Sequence, residues 1–448
     1  MNHIHTILLS FCLAVNTALA QTSPNPVGGT QPTVTTKTDS LSWLIQGPKN
    51  AMAVSIAVDQ RDHIFLAGFF EDSAAFEKST LVSGGKVDGF IARYTPAGEL
   101  QWVRQLRGPQ ADFAVSLAID EQGNVYGTGT FQDALQVGDT ILKAPKLGAY
   151  LVKYAANGDL QWARLIGKGG MDSGKSLALD KSSNVYVTGY VWDVSTMNDV
   201  LSHTSKQRRA FVARYDPQGT LLWMNELEGE SMGASISTDG QGDIYVGGAF
   251  TDTLLLGNTR LVSPHASSEG ILRSMGTADG FLAKLNPKGQ CQWARRMGGE
   301  SLDIFKSVAA DQEGNVYVGG SFINNKATFD TIPLLSDDQE GKELLNMDDF
   351  IAKLDGKGTI QWIVNKVPCG GMSDRCLALG PDGTLYVAGS IRSKDRVVKQ
   401  IVSTQGNEDI MLTHFSPQGK LLDIRQHGGV DTETARGMYV SPQGDMYM

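Results

Sequence analysis

The stretch "SLAIDEQGNVYGTG" (116–129), preceded by "ELQWVRQL" (99–106), decides the fold, because both phrases recur along the chain. The first returns as "SLALDKSSNVYVTG" (176–189), "SISTDGQGDIYVGG" (235–248), "SVAADQEGNVYVGG" (307–320) and "CLALGPDGTLYVAG" (376–389), with "SIAVDQRDHIFLAG" (55–68) as a divergent first copy. The second returns around Trp162, Trp223, Trp293 and Trp362; "LSWLIQ" at Trp43 opens the series and a tryptophan-less "KLLDIRQH" around Asp423 closes it. The intervals between these seven positions are 59, 60, 61, 70, 69 and 61 residues. Self-similarity at such a period means one supersecondary unit copied many times.

The unit reads as two hairpins. In residues 88–131, "DGFIARYTPAGELQWVRQL" holds two alternating runs around Pro96-Ala97-Gly98. Other copies place "DPQG" (216–219), "NPKG" (286–289) or "SPQG" (416–419) there. Proline presets φ at the second turn position, and glycine accepts the left-handed conformation that ends such a turn. The 116–129 phrase is the second hairpin, with an aromatic after its turn: Phe65, Tyr126, Tyr186, Tyr245, Tyr317, Tyr386 and Tyr447. β-branched and aromatic residues alternate with small or polar ones, as half-buried strands require. Four short antiparallel strands repeated six or seven times describe an all-β propeller of six to seven four-stranded blades. Trp43, Trp102, Trp162, Trp223, Trp293 and Trp362 are then expected between blades. A parallel β-helix usually shows shorter repeats without two hairpin turns in each.

The consensus of these copies, D-G-F-[IL]-A-[RK] through L-Q-W-A-R to S-[LIV]-A-x-D-x-x-G-N-V-Y-V, resembles the SBBP β-propeller repeat of secreted bacterial proteins. The resemblance covers about residues 43–448. It implies an extracytoplasmic propeller, usually without assigned chemistry and often part of a cell-surface protein.

Bulk properties bound the rest. Of 448 residues, 41% are apolar and 8% aromatic, enough for a packed core. The 51 glycines, without a collagen period, point to many tight turns. Net charge is −9, from 39 basic and 48 acidic residues, with no basic stripe. Duplex binding needs clustered Lys and Arg to displace counterions, so no nucleic-acid partner is expected. Residues 1–20 read as a secretory signal: an apolar run Ile7 to Val15, then the small-x-small site Ala18-Leu19-Ala20. Residues 21–42 read as a linker or a ring-closing strand. No later run reaches the length of a transmembrane helix. The last copy stops at "QGDMYM", in mid-blade. Either a strand from "QPTVTTKT" (31–38) completes that blade or, the favoured expectation, the sequence is a piece of a longer protein with a sorting or anchoring domain beyond it.

Cys369 and Cys376 flank "GGMSDR" and are spaced to close a small loop in an oxidising compartment, leaving Cys291 single. The recurring Asp59, Asp120, Asp180, Asp239 and Asp311 would suit calcium only with several converging oxygens. An Asx turn, in which the carboxylate accepts nearby backbone N–H groups, needs no ion. Asp88, Asp279, Asp349 and Asp409, and Asp112, Asp172, Asp303, Asp374 and Asp431, are expected to satisfy backbone donors at strand ends. The histidines lack zinc spacing, and neither a Gly-x-Ser-x-Gly elbow nor a P-loop occurs; no cofactor, metal or catalytic residue is expected. Insertions are the better lead, since repeats carry them on one face, often the binding face. Segments 191–209, 264–278 and 330–347 carry Trp192, His203, Arg208, Arg209, His265, Arg273, Asp337, Asp338, Glu340 and Glu343. The resulting expectation is an exported, non-catalytic scaffold that binds a protein or glycan through these loops. The alternatives are a carbohydrate-active propeller with two carboxylates over the channel, or an assembly factor of the pyrroloquinoline-quinone-like propeller type, which "AKLNPKGQCQW" (283–293) resembles.

Overall fold

The computed structural model describes residues 47–77, 79–167, 170–192, 208–264, 277–323, 326–335, 347–369, 376–398 and 400–448. None of these residues is helical, and no helix among them is long and apolar enough to cross a membrane. The chain is a β-propeller with six four-stranded blades, each an antiparallel sheet with its strands in chain order from the axis outward.

Blade 1 comprises β1 (Ala51–Val58), β2 (Ile64–Phe76), β3 (Ser79–Tyr94) and β4 (Leu100–Leu106). Blade 2 comprises β5 (Phe113–Ile119), β6 (Val125–Val137), β7 (Thr140–Tyr154) and β8 (Leu160–Ile166). Blade 3 comprises β9 (Ser173–Leu179), β10 (Val185–Trp192), β11 (Arg208–Tyr215) and β12 (Leu221–Glu226). Blade 4 comprises β13 (Ser231–Thr238) and β14 (Ile244–Phe250), then, after the small hairpin β15 (Thr253–Leu256) and β16 (Thr259–Val262), β17 (Asp279–Leu285) and β18 (Cys291–Gly298). Blade 5 comprises β19 (Ile304–Ala310) and β20 (Val316–Ile323), the short hairpin β21 (Thr328–Phe329) and β22 (Ile332–Pro333), then β23 (Met347–Leu354) and β24 (Ile360–Asn365). Blade 6 comprises β25 (Leu377–Leu379), β26 (Leu385–Val397), β27 (Gln400–Phe415) and β28 (Leu421–His427).

A last hairpin, β29 (Tyr439–Val440) and β30 (Met446–Tyr447), follows. β29 lies against β25 on one side and β1 on the other, so it occupies a seventh position in the ring of innermost strands. The repeat as it is written in the sequence is therefore not a blade. Residues 88–131 end blade 1 and begin blade 2, so each sequence copy straddles a seam. The phrase stays intact because the seam is what it encodes.

Blade seams are stitched in three ways. Apolar faces interlock: Tyr126, Leu151, Trp162, Val187 and Phe211 form one cluster spanning blades 2 and 3. A serine on the innermost strand accepts a backbone N–H from the next blade: Leu117 to Ser55 (3.2 Å), Leu177 to Ser116 (3.1 Å), Ile236 to Ser176 (3.3 Å) and Val308 to Ser235 (3.1 Å). Hairpin extensions between second and third strands reach back to the preceding blade's outer strand. Arg107 bridges to Gln136, Glu228 to Leu255, and Met297 pairs with Phe329.

Candidate functional site

In each antiparallel blade the turns joining first to second and third to fourth strands lie at one face. The connections joining second to third strands, and blade to blade, lie at the other.

At the first face a single clamp repeats. Asp120 Oδ1 accepts the N–H groups of Gln122 (3.0 Å) and Asn124 (2.8 Å), and Tyr126 donates its hydroxyl to Oδ2 (3.2 Å). Asp59, Asp180, Asp239 and Asp311 accept the same pair of backbone donors. These are Asx turns, as the sequence reading preferred, and the same oxygens would otherwise have to serve calcium. Burial, with Asp120 alongside, pushes the Tyr126 phenol well above its ordinary value. Lys153 Nζ sits 4.8 Å from the Tyr126 ring centroid and donates to the carbonyl of Pro217 in the next blade (3.2 Å). The Trp162 indole donates to that same carbonyl (3.1 Å), and Arg164 Nε to the carbonyl of Gly219 (2.8 Å). The indole nitrogens of Trp102, Trp223, Trp293 and Trp362 reach the equivalent carbonyls of Ala156, Pro287, Gly356 and Pro417, each at 3.1 Å. Trp43 lies outside the described residues. Arg104, Arg164 and Arg295 each stack beside their own tryptophan as well as donating across the seam. The indole, guanidinium and ammonium donors of this clamp thus reach across the seams.

At the second face, buried carboxylates anchor the ends of second strands. Asp112 accepts from Gln132 N–H (3.2 Å), Asp172 from Trp192 (3.1 Å) and Asp303 from Ile323 (3.3 Å). Burial pushes Asp112 up to about 8 and Asp303 up to about 7, aided by the nearby Asp88 and Asp279 respectively. Asp88, Asp112, Asp279 and Asp303 are all fully enclosed; Asp88 accepts the Gly84 N–H, and Asp279 is paired with Arg296 rather than with backbone.

The same face carries the loops singled out by sequence. Trp192 ends β10 opposite Arg208, which opens β11, and the Trp192 side chain stays 38% exposed. The Arg208 guanidinium lies 5.5 Å from the Tyr190 ring centroid, and Arg209 pairs with Glu226 at 3.7 Å. Between blades 3, 4 and 5 runs a cleft lined by Arg208, Glu230, Met232, Phe250, Ala278 and Leu302. Segments 193–207 and 265–276 are flanked by rim residues of this one cleft, Arg208 and Ala278. Exposed apolar side chains, Met171, Trp192, Val262, Ile332, Leu335 and Met347, belong to the same stretch of blades. His203, His265, Arg273, Asp337, Asp338, Glu340 and Glu343 lie outside the described residues. Part of segment 330–347 is not free loop: β22 belongs to a hairpin fastened to blade 4. Sequence reasoning missed Glu230, Met232, Phe250 and Leu302, which sit on separate elements; only the adjacency of Arg208 to an insertion pointed there.

Cys369 and Cys376 are joined in a disulfide, both buried, and Cys291 is free. No group of three or more metal-ligating side chains occurs among the described residues.

Residues 101–130 and 161–190 match the model of the SBBP β-propeller repeat. Both segments are SBBP repeats. Each runs from an outermost strand, through a seam, into the first hairpin of the following blade. An uncharacterized WD repeat-containing protein of Acanthamoeba polyphaga mimivirus is 21% identical over 445 residues, covering 81% of this chain and 30% of its own length. The regulatory protein FlaEY of Caulobacter vibrioides is 27% identical over 174 residues, covering 37% of this chain and 17% of its own length. The chain thus spans less than a third of either relative. Among solved structures, a chain of the mitotic checkpoint complex aligns with a TM-score of 0.48 at 10% identity, covering 94% of this chain and 93% of that one. The Neurospora crassa Pan2 WD40 domain aligns with a TM-score of 0.40 at 11% identity, covering 87% and 91%.

Proposed function

We propose that the protein is an exported, non-catalytic scaffold that binds a protein or glycan ligand on the loop-bearing face of blades 3 to 5. The observation that carries this reading is the shared cleft: Arg208 and Ala278, which border segments 193–207 and 265–276, both line it. Loops held by a rigid scaffold are where binding groups concentrate. The exposed Trp192, Met347 and Leu335 supply apolar anchors of the kind that dominate binding energy at interfaces. The opposite face carries the repeated seam clamps, whereas the insertions that differ from blade to blade lie on this one. Export is supported by the apolar run Ile7 to Val15 with its small-residue site, and by the buried disulfide, a bond that persists in oxidising compartments.

The test uses the mature chain immobilised against glycan arrays and against detergent-solubilised envelope protein from the source bacterium. Binding is expected to fall by about tenfold or more on Trp192→Ala, with the thermal midpoint unchanged, because a central aromatic anchor commonly carries 2 kcal/mol or more. Ligand capture that survives Trp192→Ala, Met347→Ala and replacement of 194–206 by a Gly-Ser linker would refute the assignment of this face. Recovery of the chain only from the cytosolic fraction would refute export.

A further inference from the structure

We propose that the Cys369–Cys376 bond is a redox latch on blade 6. A dithiol reductant opens it, and the innermost strand β25 then comes away from the ring while the other blades stay closed. The inference is independent of the ligand-binding reading.

The bond splices an interrupted strand. In blades 1 to 5 a glycine of the second strand lies against a carbonyl oxygen near the start of the first. A β-carbon built there would stand 2.0 Å from the Met52 oxygen at Gly68, 1.9 Å from that of Phe113 at Gly129, 1.9 Å from Ser173 at Gly189, 2.0 Å from Met232 at Gly248 and 2.7 Å from Ile304 at Gly320. At Gly389 of blade 6 the oxygen belongs to Pro368, at 2.2 Å. Pro368 thus holds the place of Ile304, and Cys369 that of Phe305. Contacts across the seams agree. A β-carbon on Gly247 of blade 4 would meet Phe305 and Val308 of blade 5, and one on Gly319 of blade 5 would meet Cys369 Sγ at 2.3 Å and Leu377 at 3.6 Å. Cys376 holds the place of the seam serines, as Ser307 does in blade 5, and its carbonyl accepts the Ala388 N–H at 2.9 Å. A single residue, Lys306, separates Phe305 from Ser307, whereas Cys369 and Cys376 are seven positions apart in sequence with Cα atoms 5.4 Å apart. The chain leaves the strand after Cys369 and rejoins it at Cys376, and the two sulfurs close the gap.

β25 is three residues long, against seven or eight in β1, β5, β9, β13 and β19. Gly380 stands at its end where blades 1 to 5 place the clamp aspartate. The Cys369 N–H donates to Asp349 of blade 5 at 2.9 Å, so the disulfide ties β25 to the blade before it. A short strand held at one end by a covalent tie is released when the tie is cut, and thiol chemistry cuts this one reversibly. A thiolate of the dithiol attacks one sulfur, and the other leaves and takes a proton. The reductant's second thiol then displaces the mixed disulfide. Two electrons and two protons pass to Cys369 and Cys376, and the reductant departs as its own disulfide. Both sulfurs are buried, so attack follows local opening of this seam.

The experiment treats the chain lacking residues 1–20 with dithiothreitol in native buffer and follows amide exchange by mass spectrometry. The expected result is complete reduction of the bond without denaturant. Exchange in β25 should then rise by about tenfold or more, while β6 and β14 keep their protection. Reoxidation with the cyclic disulfide of dithiothreitol should restore the first pattern. Cys369→Ser/Cys376→Ser should show the released pattern with or without reductant. Three results would each overturn the proposal: a bond that resists the dithiol until the chain is denatured, exchange that rises equally in all six blades, or a reduced chain whose β25 is protected as before.

Discussion

The seam clamp makes a quantitative prediction at Trp162 and Gly219. The indole is 9% exposed, donates to the Pro217 carbonyl at 3.1 Å, and meets Tyr126 edge-on with centroids 6.0 Å apart. Removing it leaves a cavity between blades, so Trp162→Ala should cost about 3–5 kcal/mol. The lost hydrogen bond, about 1 kcal/mol, falls within that range. Gly219 faces the ring from the other side. Its φ is +78°, and a β-carbon there would stand 2.7 Å from Trp162 Cδ2. Gly219→Ala therefore carries two separable costs: about 1–2 kcal/mol for a left-handed alanine, and about 1–3 kcal/mol for forcing the indole aside. Only the second depends on the tryptophan. In a Trp162→Ala background Gly219→Ala should cost only the first part, so the double variant should be more stable than the sum of singles by about 1–3 kcal/mol. Urea unfolding followed by far-ultraviolet circular dichroism gives all four midpoints, and a constant slope m keeps the comparison to stability alone. A Trp162→Ala loss below about 1 kcal/mol, or strict additivity in the cycle, would refute the clamp as the source of seam stability.

Two further predictions rest on buried chemistry. Asp112 is pushed from an ordinary 3.8 up to about 8, so the folded chain holds its proton more tightly than the unfolded one. Stability from this group is full below about pH 4 and is lost as pH rises toward 8. Asp112→Asn, which cannot ionise, should flatten that part of the stability–pH curve measured by urea midpoints from pH 5 to 9; an unchanged slope would sink the reading. The Cys369–Cys376 bond closes a loop with a sequence separation of seven. The chain-entropy relation for so short a loop gives about 2–3 kcal/mol, so Cys369→Ser/Cys376→Ser should lower the thermal midpoint by several degrees. Both sulfurs are buried, so a native thiol assay on a chain lacking residues 1–20, and with them Cys12, should count Cys291 alone.

How much of this was legible follows from what repeats. The Asx-turn aspartates, the turn glycines, the aromatic after the turn and the tryptophan recur because each seam needs the same contacts, and so blade chemistry could be read from spacing. The framing of the unit could not. "DGFIARYTPAGELQW" and "SLAIDEQGNVYGTG" are contiguous in the chain, but the second pairs with the strands that follow it, because its own last strand runs on through the β6–β7 hairpin. Nor were the hairpin extensions read, since Leu135, Val137 and Ala144, which bury in the cluster shared with blade 1, fall between the two phrases that carry the repeat. The cleft was illegible for a related reason: Glu230, Met232, Phe250 and Leu302 come from connections and strand ends in two blades, and each looks like ordinary core or loop until the ring brings them together.

The departures from the repeat are more informative than the repeat. Blade 6 replaces the clamp aspartate by Gly380, the lysine or arginine by His414 and the tryptophan by Asp423; His414 instead stacks on Tyr386 with ring centroids 4.0 Å apart. Burial holds the His414 imidazole below its ordinary value, so it stays neutral and donates no charge across the seam. Across the seam between blade 6 and the seventh position, the apolar contacts of Ala388, Leu412, Ala435 and Met438 are joined by backbone hydrogen bonds, Asn407 N–H to the Asp431 carbonyl (3.0 Å) and Glu433 N–H to the Glu408 carbonyl (2.8 Å), in place of the clamp. A ring opens at its weakest seam, and this one lacks the indole, the cation and the carboxylate that each of blades 2 to 5 shares with its neighbour or supplies from its own turn. Amide exchange should consequently be fastest in β25, β29 and β30 and slowest in β6 and β14. Uniform protection around the ring would mean that the clamps contribute little, and would count against the Trp162 argument as well.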